Sequence, residues 1–116
     1  MSEGDIRKGF VTQMGMDRYE AFEKAGEYGF DFVEIMMDGE DHRSNLQEDR
    51  DDIIDALEDN DLDLAVHLPF SVDIGSPHEH VRHGSIEEIL TCIETAASLG
   101  AEKAVLHAGS RGAWDA

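Results

Sequence analysis

Basic residues are scarce in this chain: nine lysines and arginines face 27 aspartates and glutamates, a formal net charge of −18, and the lysines are Lys8, Lys24 and Lys103 alone. A chain so charged repels itself at low salt, which works against a compact state. Molar salt shortens the Debye length to about 3 Å and removes most of that cost. The composition therefore points to a cytoplasm of high ionic strength, as in halophiles such as haloarchaea, with an ordinary acidic protein as the alternative. No basic patch of the kind that marks nucleic-acid binding is evident, although this absence carries less weight where a whole proteome is acidic. With one cysteine, Cys92, no internal disulfide is possible, and its place in a helical pattern suggests a buried, inert thiol. No apolar run approaches the roughly 20 residues of a membrane helix. Met1-Ser2-Glu3-Gly4-Asp5 lacks the basic and apolar regions of a signal peptide, so a cytoplasmic location is expected.

Against these absences stand short apolar runs that alternate with helical patterns. Gly9-Phe10-Val11-Thr12-Gln13 reads as a first strand, Phe30 to Met37 as a second, Leu62 to Val66 as a third and Lys103 to Leu106 as a fourth. Asp17 with Glu20 has the spacing of a helix N-cap and its reciprocal acid, and Tyr19, Phe22, Ala25 and Gly26 continue a helix that Gly29 stops. Leu46, Arg50, Ile53, Ile54 and Leu57 outline a second helix ending near Asn60. Ser85 with Glu88 repeats the capping spacing before Ile86, Ile89, Leu90, Ile93, Ala96 and Ala97, with Gly100 as the stop. The order β-α-β-α-β-α-β calls for a parallel sheet covered by its crossover helices. Thr12-Gln13-Met14-Gly15-Met16 fits no dinucleotide or phosphate-loop fingerprint, which favours a barrel over a doubly wound sheet. Residues 1–116 form one partial domain on this reading.

Two of these runs end in the same way. Ala65-Val66-His67-Leu68-Pro69-Phe70 and, forty residues on, Ala104-Val105-Leu106-His107-Ala108-Gly109-Ser110 each place a histidine where a strand gives way to a loop. In parallel α/β proteins the carboxyl ends of the strands are where ligands and catalytic groups gather.

Together with Asp73-Ile74-Gly75-Ser76-Pro77, Arg82, Ser85 and Leu99-Gly100-Ala101-Glu102, these stretches resemble the xylose-isomerase-like TIM barrels, a superfamily of sugar isomerases and epimerases that also includes endonuclease IV-type apurinic/apyrimidinic endonucleases. The resemblance implies an α/β fold, the first half of a (β/α)8 barrel, with a divalent-metal site (Mn, Mg, Co or Zn) at the carboxyl face. A whole barrel takes about 250 residues, so the later-strand acids of the family have no counterparts here.

The resemblance implies that His67 and His107 are the candidate metal ligands, as they resemble the zinc-binding histidines of the endonuclease branch, and neutral imidazole on a rigid strand end suits transition metals. Each could instead contact substrate or mark a plain strand-to-loop junction. Glu34, in Phe32-Val33-Glu34-Ile35, is the candidate catalytic carboxylate, since an unpaired buried acid is costly and should face a cation, a hydroxyl or a histidine; a wet strand face is the alternative. Arg82, Ser76 and Asp73 are the candidate substrate-binding residues, in a loop from Ser71 to Gly84 long enough to suggest function. His78, His80 and His83 read as solvated loop residues. The resemblance implies a metal-dependent sugar or sugar-phosphate isomerase or epimerase. One alternative is a zinc-cluster endonuclease acting on nucleic acid, and another is a half-barrel subunit without activity of its own. Open strand edges predict a homo-oligomer.

Overall fold

The computed structural model describes residues 6–13 and 15–107. Four strands, β1 (Gly9–Val11), β2 (Phe32–Met36), β3 (Asp63–His67) and β4 (Lys103–Val105), lie side by side in chain order. Every neighbouring pair is parallel. A doubly wound sheet reverses its strand order at a switch point; this monotonic order is that of a partial (β/α) barrel. The crossovers are α1 (Arg18–Glu27), then α2 (Arg43–Glu48) with α3 (Arg50–Asp59), then α4 (Glu79–Ser98).

Alternation along the strands sorts their side chains to two faces. Val33, Ile35, Leu64 and Val66 turn to the helices and join Phe22, Leu46, Ile53, Leu57, Ile89, Cys92 and Ala96 in one buried cluster. Phe32, Glu34 and Met36 turn to the opposite, open face, which in a closed barrel is the interior. The Cys92 thiol lies in the cluster, and burial pushes its pKa up to about 11.

Asp17 caps α1 as its spacing predicts, accepting the Glu20 amide at 3.0 Å. The expected stops at Gly29 and Gly100 both adopt positive φ, +75° and +84°. Two boundaries differ from expectation. The second crossover is not one helix: a 3₁₀ turn at Gly39–Asp41 leads into α2, and the chain breaks at Asp49 before α3, because the Asp49 carboxylate is drawn to Arg18 Nη1 at 2.7 Å. The last crossover helix begins at Glu79, so Ser85 is no cap. It is buried inside α4, and its Oγ accepts the Asp73 amide at 2.9 Å. His80, Arg82, His83 and Gly84 are therefore helical, and the connecting loop is shorter than the sequence suggests.

The apolar periodicity of α4 covers two faces. Ser85, Ile89, Cys92, Thr95 and Ala96 are buried against the sheet, whereas Ile86, Leu90 and Ile93 are exposed. On the same flank β4 is exposed along its whole length. α2 is tied to α4 by a forked ion pair, with Arg43 Nε donating to Glu88 at 2.5 Å and Nη2 at 3.2 Å; the Arg43 hydrogen bonds hold the Glu88 carboxyl below the usual range.

Candidate functional site at the carboxyl rim

β3 ends at His67, which pairs in register with Val105 of β4. The Leu68 amide continues the ladder by donating to the Val105 carbonyl at 2.9 Å. This carries both chains one step past the sheet and brings the two imidazoles together, with Nε2 of His67 and Nε2 of His107 3.0 Å apart. His67 is buried, and its Nδ1 lies 2.8 Å from the Leu68 carbonyl oxygen. A carbonyl can only accept, so Nδ1 carries a proton, and in the neutral ring Nε2 presents a lone pair. That lone pair either accepts from His107 Nε2–H or shares a cation with His107 Nε2. Phe70 completes the group, its ring centroid 4.6 Å from His67 and 5.5 Å from His107. The Phe70 amide donates to Asp38 Oδ2 at 3.0 Å, linking the loop after β3 to the end of β2.

The other candidates lie apart from this pair. Glu34 sits beside Val11 and Ala65 on the open face, two register positions below Met36 and His67. It is half-buried, and no side-chain partner reaches its carboxylate among the described residues. Asp73, Ser76 and Arg82 come together with one another: Asp73 Oδ1 accepts the Gly75 amide at 3.1 Å, Ser76 Oγ accepts the His78 amide at 3.1 Å, and Arg82 donates to the Ser76 carbonyl at 3.0 Å. They fold the loop onto the start of α4. Ala108, Gly109 and Ser110 lie outside the described residues.

A shallow depression lies at the ends of β1 and β2, lined by Thr12, Gln13, Met16, Met36, Asp38 and Asp41 among others. Its floor is held by an ion cluster. Arg18 Nε donates to Asp41 at 2.9 Å and Nη1 to Asp49, with Tyr19 against the guanidinium. Burial opposes the Arg18 charge, yet hydrogen bonds to Asp49 and Asp41 raise its pKa. Burial pushes the Asp41 carboxyl up, against the pull of Arg18.

As a metal site the pair is partial: no group of three or more histidine, cysteine or acidic side chains able to hold an ion occurs among the described residues. The two nitrogens do fit one ion. Bonds of about 2.1 Å at 90–110° place neighbouring ligand atoms about 3.0–3.4 Å apart. Phe70 and Asp38 were not legible as site residues. Phe70 follows His67 by three positions with no signal beyond that spacing, and the contact of Asp38 spans 32 residues. No helix among the described residues is long and apolar enough to cross a membrane.

Comparison with known proteins agrees with the fold. The family model for xylose isomerase-like TIM barrels matches residues 22–116. Among solved structures, the chain is similar to a D-tagatose 3-epimerase-like protein, at TM-score 0.76 and 28% identity over 90% of this chain and 38% of that one. It is also similar in fold to the 3-keto-D-glucoside 4-epimerase YcjR from E. coli, at TM-score 0.69 and 21% identity over 88% of this chain and 38% of that one. The chain thus spans well under half the length of these neighbours. No curated protein sequence matches it.

Proposed function

Since this chain belongs to the xylose isomerase-like TIM barrel family, we propose that it carries the histidine half of a divalent-metal site serving isomerisation or epimerisation of a sugar or sugar phosphate in the cytoplasm of a halophile. The observation that carries this reading is the 3.0 Å approach of the two Nε2 atoms, with the Nδ1 proton of His67 committed to Leu68. Such a second hydrogen bond fixes the tautomer and orientation a metal-binding imidazole needs. His67 and His107 would hold Mn, Co, Zn or Mg, the first three being better matched to imidazole. Bound there, the ion supplies polarisation of a substrate carbonyl and its neighbouring hydroxyl.

Glu34 faces the same open side two register positions deeper and would exchange a proton with a substrate carbon or hydroxyl reaching into the barrel. Arg82 keeps further guanidinium donors beyond the one given to Ser76, enough to receive an anionic group such as a sugar phosphate. Asp73 and Ser76 shape the loop that carries it. Further ligands and acids would come from later strands, so the chain alone is a half-barrel whose activity depends on the rest of the cylinder. The structural neighbours support sugars as the substrate class, since both solved proteins bear the names of sugar epimerases.

A second reading, a zinc-cluster endonuclease, is favoured by the same histidine pair but finds no third ligand among the described residues. Cobalt titration in molar KCl, followed by visible absorption, tests both readings. Binding is expected for the wild-type chain and lost in His67→Ala and in His107→Ala; equal binding by the variants refutes the site. Stoichiometric zinc retained through dialysis favours the endonuclease, and exchangeable manganese, cobalt or magnesium favours the isomerase.

A further inference from the structure

We propose that Asp38 is a positioning residue for the histidine pair, acting through the Phe70 amide it clamps across the rim. The tripeptide Leu68-Pro69-Phe70 does two things for the imidazoles. Its first carbonyl takes the Nδ1 proton of His67, and its last side chain lies against both rings, at 29° to that of His107. The tripeptide is anchored on each side: the Leu68 amide is held by Val105 of β4, and the Phe70 amide by Asp38 Oδ2 just past β2. Proline at position 69 has no amide to offer, so these two donors are all that the tripeptide can give.

Phe70 itself is 55% exposed, so packing alone does not fix its ring. A carboxylate accepting an amide makes a short, charge-assisted bond, and no other hydrogen bond or ion pair reaches the Asp38 carboxylate among the described residues. The acid is thus committed to a backbone group 32 positions away, at the one point where that group controls the ring beside the site. With the clamp gone, the tripeptide keeps only its Leu68 backbone hydrogen bond. Phe70 then swings toward solvent and His67 loses its fixed orientation.

The metal consequence rests on the proposed function, whereas the clamp does not, and the test separates them. The chain is labelled for carbon–proton correlation spectra of the histidine rings and kept metal-free in molar KCl. Ring-current shifts from Phe70 on the His67 and His107 resonances are expected to vanish in Phe70→Leu and in Asp38→Ala, and to persist in Asp38→Asn, whose side-chain oxygen still accepts the amide. Unchanged shifts in Asp38→Ala beside altered ones in Phe70→Leu overturn the clamp; unchanged shifts in both overturn the stacking as well. In the second arm, Co²⁺ is titrated into the same proteins. A loss of affinity of about 10-fold is expected in Asp38→Ala, with near-wild-type affinity in Asp38→Asn, in line with the weakening that follows loss of a ligand's supporting group. Equal affinity in wild type and Asp38→Ala refutes the positioning role. A wild-type chain that binds no Co²⁺ refutes the metal reading, and the spectra still decide the clamp.

Discussion

Replacing Arg18 by methionine tests how the rim is built, because the guanidinium it removes joins the start of α1 to the turn after β2 and to the break between α2 and α3. The side chains of Arg18 and Asp41 are each 9% exposed, whereas Asp49 is 43% exposed. Asp49 returns to water at little cost. Asp41 cannot, and stripping one partner from a buried pair costs about 3–5 kcal/mol. We take the lower end, about 3 kcal/mol, because methionine keeps the apolar packing and the second acid escapes to solvent. With an unfolding entropy of about 2.1 cal/mol/K per residue, a chain of 116 residues should melt about 12 °C lower.

The loss should also depend on pH, and its sign follows from Asp41. Burial already holds this carboxyl above its ordinary value, and without Arg18 it rises further. A raised carboxyl favours the folded state when protonated, so the variant is most stable in acid and loses stability as pH rises through the folded-state pKa. Thermal and urea unfolding in molar KCl at pH 5 and pH 8 should show a gap to wild type that narrows at pH 5. Adding Asp41→Asn should regain at least half of the deficit at pH 8. A loss under about 1 kcal/mol, or one equal at both pH values, would refute the account of a stranded carboxylate.

Two further outcomes follow from charge and from the open sheet. With a net charge of −18, the melting temperature should rise steeply between 0.1 and 3 M KCl, and a flat dependence would remove the inference of a high-salt cytoplasm. The β1 and β4 edges carry exposed Val11 and Val105, and α4 exposes Ile86, Leu90 and Ile93; light scattering in molar salt should find a homo-oligomer, and a well-folded monomer would count against pairing through these edges.

Much of this was legible in the sequence because the signals are local. The Asp17 cap, the glycine stops and the apolar runs each express a conformational preference over a few residues, and together they yielded the parallel β/α order and both rim histidines. The extent of α4 was misjudged for the same reason. Ser85 has the composition of a cap, and only the amide of Asp73, brought to it by the fold, makes it an interior residue. The break at Asp49 likewise answers to Arg18, 31 residues earlier.

The chain by itself determined that two histidines stand at strand ends, since periodicity and the following loops place them there. Tertiary structure decided that they meet: adjacency of β3 and β4, and the register pairing His67 with Val105, set the 3.0 Å approach. It also decided that Asp38 reaches Phe70 and that Glu34 lies deeper on the open face. Contacts across 30 or more residues depend on which strands lie side by side, and no local preference of the chain encodes that.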